Sequence, residues 1–237
     1  MSVLLMRLAG PMQSWGTRSR FSNRDTGLEP SRSGVIGLLC AALGRPREAP
    51  LEDFSPLKMA VRVDREGRLM RDYHTAQNVR RADPTKGTQE TVLSDRFYLA
   101  DADFLVGLEG TLDFLKKLDA ALHRPTWTLF LGRKSFVPSL PISEGIVQGA
   151  LMETLRQFPW FKRSTDREIP EKLRYIVEQE YGQGEPRSDV PESFVSRNRR
   201  FAVRHVKTEF FPLNAEFVRE ADRESPYVSQ QADSQHA

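Results

Sequence analysis

"SVLLMRLAGPMQSWGTRSRF", residues 2–21, is the stretch on which the fold turns. Its first half is a continuous apolar run short enough to be a central strand, and Gly10-Pro11 breaks it. The loop that follows carries Trp15 and the arginines Arg18, Arg20 and Arg24, with no acidic residue before Asp25. A first strand that opens into an aromatic and cationic loop sets two questions: what packs on the strand, and what the loop meets.

The next segments address the first. "PSRSGVIGLLCAALGRP" (30–46) reads as a helix, with serines at the N-cap and Val35, Ile36, Leu38, Leu39 and Leu43 on a broad apolar face; Gly44 is a stop, with Pro46 beyond it. "LKMAVRVDREGRLMRDYH" (57–74) alternates apolar and polar residues on both sides of "DREG", the pattern of a β-hairpin. "RFYLADADFLVGLEG" (96–110) has strand composition, and "TLDFLKKLDAALHRP" (111–125) is a second helix, capped by Thr111. "TWTLFLGRKSFVPSLPI" (126–142) is expected to supply a closing strand and a glycine-basic turn. The order strand, helix, strand, strand, helix, strand is the βαββαβ pattern of an α+β, ferredoxin-like (RRM-like) domain over residues 1–142.

Between the second and third strand positions lies "TAQNVRRADPTKGTQETVL" (75–93), nearly free of large apolar side chains. This insertion, at about 75–92, cannot fill a core and reads as functional rather than connective. Beyond residue 142, "GIVQGALMETLRQFP" (145–159) predicts a helix, while "KLRYIVEQE" (172–180) and "RFAVRHVKTEFF" (200–211) predict strands separated by a polar loop, "YGQGEPRSDVPES" (181–193). A C-terminal β-containing region over 143–215 follows, with a disordered tail expected over 216–237 where apolar periodicity ends.

A chain of 237 residues accommodates one compact body with an appendage. Its 39% apolar and 28% charged content is that of a globular protein, and no apolar run approaches the roughly 20 residues needed to cross a bilayer. The N-terminus has no export signal, so a cytoplasmic location is expected. The single cysteine, Cys40, sits among apolar neighbours and reads as a small core residue, which leaves no disulfide framework or zinc site. A net charge of +3 is modest, but it is unevenly placed. Residues 1–50 hold seven arginines against three acids, and "SRNRRFAVRHVK" (196–207) has five cationic residues and no acid. Such clustering fits a polyanion-binding face.

Two short motifs suit phosphate. "LGRKS" (131–135) places Gly132, Arg133, Lys134 and Ser135 in a turn, although an ordinary solvated turn has the same composition. "PSRSG" (30–34) puts Ser31, Arg32 and Ser33 at a helix N-terminus, where simple capping competes with anion binding. Trp15 is either a base-stacking ring or a residue at the rim of the core. The histidines His74, His123 and His205 form no recognisable acid–base set, and Tyr73 and His74 face opposite sides if "DYHT" is a strand. HExxH, DxDxDG and CxxC patterns do not occur, so no catalytic residue, metal or cofactor is expected.

In order along the chain, "LLMRLAGPMQSWG", "PSRSGVIGLLCAALG", "DYHTAQ", "RFYLADADFLVGLEG" and "LGRKSFVPSLPI" resemble the CasD family, the type I-E branch of the CRISPR-associated RAMP superfamily, over roughly residues 3–142. The resemblance implies a ferredoxin-like palm with an inserted β-hairpin thumb and a smaller C-terminal β-containing region. It further implies a non-catalytic Cascade subunit that caps the 5′ handle of crRNA beside the subunits CasC and CasA and meets target DNA through the assembled complex. On that basis Arg18, Arg20, Arg24, Arg32, Arg133 and Lys134 would contact handle phosphates, and Trp15, Ser33 and Ser135 would add ring and hydroxyl contacts. His74, Arg80, Arg81 and Lys86 of the thumb would meet guide or partner. The alternative is a metal-independent endoribonuclease that processes precursor crRNA, with Tyr73 and His74 as first suspects.

Overall fold

The computed structural model describes residues 1–17, 22–81, 83–164, 166–196 and 198–220, so Arg18, Arg20 and the tail from residue 221 lie outside the described residues. The opening apolar run forms β1 (Ser2–Ala9), buried along its whole length. The short strands β2 (Met12–Gln13) and β3 (Asn23–Arg24) precede helix α1 (Arg32–Leu43), followed by β4 (Lys58–Arg65), β5 (Arg68–Arg80), β6 (Thr88–Ala100), β7 (Asp103–Gly110) and helix α2 (Leu112–His123). Then come β8 (Ser143–Gln148), helix α3 (Leu151–Gln157), β9 (Trp160–Lys162), β10 (Lys172–Gln179), β11 (Glu185–Ser193), β12 (Arg200–Pro212) and β13 (Val218–Glu220). Among the described residues a seven-stranded sheet has the order β11-β12-β10-β4-β7-β1-β8, and each neighbouring pair is antiparallel.

Both faces of β1 are covered, which is why its sequence is apolar without alternation. Leu4, Met6 and Leu8 pack with Val35 and Leu39 of α1 and Leu115, Leu118 and Leu122 of α2. Val3 and Leu5 face the other way, into a second cluster with Leu151 and Leu155 of α3, Trp160 and Tyr175. Gly107 of β7 permits that second contact, because a Cβ there would lie 2.6 Å from Leu151 Cδ1.

Charge is buried on this second face as well. Asp103 Oδ2, fully enclosed, accepts from Arg7 Nη2 at 2.8 Å, Arg65 Nη1 at 3.1 Å and Arg163 Nη2 at 2.8 Å. Arg62, also fully buried, pairs with Asp64 and donates to Leu155 O, Phe158 O and Pro159 O, satisfying carbonyls at the end of α3. A second network joins α1 to the C-terminal strands: Asp189 accepts from the Arg32 backbone N–H at 2.8 Å and from Arg204, while Glu178 accepts from the Arg32 and Arg204 side chains.

Several expectations are corrected. The closing strand is β8 rather than residues 126–142, and Gly145–Gln148, read as the start of a helix, extend along β1 with a register shift between Leu5 and Met6. The helix α3 begins only after Gly149, whose φ of 154° marks the break. The "DREG" turn is present but joins strands that do not pair: β4 is already held between β7 and β10, so β5 leaves the sheet and pairs with β6. The segment 185–193, read as loop, is the edge strand β11, where Pro186 and Pro191 are tolerated. Residues 218–220 of the expected disordered tail form β13, parallel to β9.

The inserted segment is longer than 75–92. β5 and β6 keep one register from Arg68↔Ala100 to Arg80↔Thr88, an arm of roughly 40 Å at about 3.3 Å per residue. At its root β6 also pairs with β2 and β3, whereas among the described residues 75–80 and 88–93 pair only with each other. No helix among the described residues is long and apolar enough to cross a membrane.

Two predictions follow from the buried charges. Asp103→Asn keeps the shape but leaves three guanidinium groups without their shared anion, and should cost about 3–5 kcal/mol in urea unfolding; a loss below about 1 kcal/mol would refute the account. Glu29 is held by Arg174 and Arg187. Burial alone would raise its carboxyl, but the hydrogen bond from Arg174 and the Arg187 charge outweigh that and hold it below the ordinary value of 4.5. Its contribution is therefore complete above pH 4.5 and lost as pH falls through the lower folded value. Unfolding measured across that range should show a shallower acid loss in Glu29→Gln.

Candidate nucleic-acid interface

The loop after β1 does not present its tryptophan. Trp15 is 1% exposed, its backbone N–H donates to Thr26 Oγ1 at 2.9 Å, and its ring Nε1–H donates to Gln13 Oε1 at 3.2 Å. Gln13 in turn bonds Leu8 O and Ala102 O, which fixes the loop against the ends of β1 and β7. Gly34 of α1 lies flat on the indole, since a Cβ there would approach Trp15 Cε3 to 2.8 Å. The ring is thus core, and the stacking role expected of it is corrected.

The N-terminus of α1 is also already satisfied. Ser31 caps the Gly34 N–H at 3.2 Å, and Asp189 takes the Arg32 N–H. Arg32, 5% exposed, spends its guanidinium on Glu178 and on Phe54 O and Leu57 O. A phosphate would meet the Asp189 carboxylate there, so Arg32 as a phosphate contact is corrected. The cavity of about 430 Å³ beside it, lined by Asp25, Glu29, Asp189 and Arg187, is acidic in balance.

The turn "LGRKS" is built differently. Leu131 N–H donates to Phe136 O at 2.7 Å and Phe136 N–H to Arg133 O at 2.8 Å. Gly132, at φ 89°, lies so close to Ser14 O that no side chain fits. Arg133 stacks on Phe136, 5.3 Å from its centroid, and donates to Phe97 O at 2.8 Å. Burial, and then the nearby Arg96 guanidinium, pull it below the ordinary arginine range. Lys134 and Ser135 are exposed.

Lys134 borders a cleft of about 900 Å³ that the sequence did not reveal. Its floor is the small-residue side of α1, with Ser33, Gly34, Gly37 and Cys40, and its walls carry Trp127, Phe130 and Phe194. Arg45, Arg47 and Arg199 join Lys134 around it, and no carboxylate is among the lining residues. Arg45 is engaged by Asp53, whereas Trp127 is 48% exposed. Burial pushes the Cys40 thiol up to about 11, so it offers the cleft a neutral surface rather than a thiolate. The cleft combines flat rings with cations, the composition that takes single-stranded nucleic acid. Its trace in the sequence is "TWTLFLGRKS" (126–135), where two rings are followed at once by two cations, together with the basic run at 196–207.

The remaining candidates are spread out. Arg24 is exposed on β3, and Arg80, Arg81 and Lys86 are exposed at the hairpin tip, with Lys86 Nζ 3.8 Å from Asp83. His74, half-buried on β5, has a Nδ1 with no hydrogen-bond partner, while Tyr73 is 57% exposed. His123 sits at the end of α2 and His205 packs edge-on to Tyr181, so the histidines do not converge.

The sequence model described as "CRISPR-associated protein (Cas_Cas5)" matches residues 3–207. The chain is 37% identical over 164 residues to "CRISPR system Cascade subunit CasD" of Escherichia coli (strain K12), covering 63% of this chain and 73% of that protein. Among solved structures, a chain of a "CRISPR RNA-guided surveillance complex" superposes with a TM-score of 0.80 at 34% identity, over 96% of this chain and 100% of that one. A "Crystal structure of Cas protein" gives 0.72 at 42% identity, over 93% of this chain and 100% of that one. With the family model and these likenesses in agreement, the chain belongs to the CRISPR-associated Cas_Cas5 family.

Proposed function

We propose that this chain is a non-catalytic, RNA-binding subunit of a type I-E Cascade complex, capping the 5′ handle of crRNA. The observation that carries the reading is the cleft on α1, where Trp127, Phe130 and Phe194 stand among Lys134, Arg47 and Arg199 without an opposing carboxylate. Rings accept unstacked bases and the cations neutralise adjacent phosphates, which is how single strands are recognised. On this reading β1, α1, β4, β7, α2 and β8 are a ferredoxin-like palm, the part of 143–215 beyond β8 adds the C-terminal β-containing region, and the β5–β6 hairpin is the thumb. The thumb would carry His74, Arg80, Arg81 and Lys86 to the first guide segment, with CasC and CasA as neighbours and target DNA met in the assembled complex. Ser33, which lines the cleft, and Ser135, exposed beside Lys134, would add hydroxyl contacts.

The test is co-expression with the other Cascade subunits and a repeat–spacer array, followed by recovery of crRNA. Trp127→Ala should weaken handle binding by about 1–3 kcal/mol, the worth of one stacked base, with melting temperature unchanged. Lys134→Ala should weaken it less and flatten its salt dependence. In contrast, Trp15→Ala should cost roughly 3–5 kcal/mol of stability, as a large core truncation does, without a specific effect on RNA in the folded fraction. Full crRNA recovery with Trp127→Ala and Lys134→Ala together would refute the cleft as the handle site. Processing that stops on His74→Ala would favour the endoribonuclease instead.

A further inference from the structure

At the root of the hairpin, outside the cleft, three guanidinium groups converge from three segments. The parallel pairing of β3 with β6 sets Arg24 directly beside Arg96, and the 131–136 turn brings Arg133 onto both strands. Arg133 Nη2 donates to Phe97 O at 2.8 Å and reaches Arg24 O at 3.4 Å, and Arg96 Nε donates to Ser94 Oγ at 3.1 Å. Among the described residues none of the three arginines has a carboxylate within 4 Å, although Asp72, paired in register with Arg96, and Asp25 lie within electrostatic reach of Arg133. Among the described residues, the side-chain donors of the three arginines meet only Ser94 Oγ, Phe97 O and Arg24 O.

Like charges set side by side across a strand pair are destabilising. Elsewhere on the sheet, buried arginines share an acid, as Arg7, Arg65 and Arg163 share Asp103. A local rule broken at Arg24↔Arg96, which Asp72 and Asp25 offset only from a distance, marks a place where something external completes the structure. Planar guanidinium groups gathered on neighbouring strands are suited to a phosphate group, to whose oxygens each can offer paired N–H donors.

We propose that Arg24, Arg96 and Arg133 form a seat for one phosphodiester of a single-stranded RNA, clamped between the root of the hairpin and the 131–136 turn. The proposal rests on the RNA-binding reading above and deepens it by assigning a second contact site, independent of the aromatic cleft. Arg133 and Lys134, adjacent in one rigid turn, then serve the two sites from its opposite sides. A phosphate in the seat ties β3, β6 and the turn together, so bound RNA fixes the root of the arm.

The experiment uses the full chain and a short labelled single-stranded RNA, with anisotropy measured across a series of NaCl concentrations for wild type, Arg96→Gln and Lys134→Gln. Arg96→Gln is expected to weaken binding roughly tenfold and to reduce the slope of log K against log salt by about 0.7, the share of one phosphate on a single strand. Its melting temperature without RNA should equal or exceed that of wild type, because a repulsion is relieved; a purely structural arginine would lower it. Unchanged affinity and slope in Arg96→Gln, with both reduced in Lys134→Gln, would overturn the seat and leave the RNA reading standing. Absence of salt-dependent binding by wild type would overturn both. Inorganic phosphate is the control ligand: stabilisation of wild type but not Arg96→Gln by phosphate, with no competition from RNA, would assign the seat to a free anion and overturn the RNA proposal.

Discussion

Covering β1 on both faces is the constraint from which the rest of the architecture follows. A strand whose successive residues are all apolar cannot leave either side to water, so one sheet needs two layers. The helices α1 and α2 supply the first, and α3 with Trp160 supplies the second. The second layer is thin, and the sheet beneath it carries Arg7 and Arg62, so its closure depends on acids placed to match: Asp103 for one and Asp64 for the other. Buried pairs of this kind add little net stability over apolar packing, but they permit only one arrangement of the strands that bear them.

The order of the central elements was legible because each carries its own periodicity and punctuation: the run of β1, the capped face of α1, the leucines of α2. Pairing was not legible, because it is decided by competition between partners distant in sequence. β5 has the alternation of a hairpin strand and the turn before it, yet its partner is β6, since β4 is taken from both sides. The segment 185–193 looked like a loop because its polarity and prolines are those of an edge, and what makes it a strand is Asp189, whose partners Arg32 and Arg204 lie elsewhere. Trp15 reads the same whether it packs or stacks, and only Gly34 beneath it and Gln13 beside it settle which.

Arginines were the least legible residues. In sequence Arg32 and Arg133 both follow a phosphate-like pattern, but one is consumed by Glu178 and backbone carbonyls while the other is left near like charges. Basic residues left free for an external anion are therefore found not where they are dense but where internal acids fail to reach them. Among the described residues, Arg7, Arg32 and Arg45 of the N-terminal segment are engaged by Asp103, Glu178 and Asp53, whereas Lys134 of the 131–136 turn is exposed.

The unbroken register of the β5–β6 arm bears on how such a chain can diverge. From Arg68↔Ala100 to Arg80↔Thr88 the register does not shift, with only Asn78, at φ 52°, outside the ladder, and among the described residues nothing else pairs with the arm beyond its root. Side chains alternate between the two faces, so removing or adding two residues in each strand shortens or lengthens the arm while every remaining residue keeps its face; a change of one inverts the outer part. Arm length is thus free to vary in steps of two, a ruler that descendants of this sequence can recut without touching the sheet from which it projects.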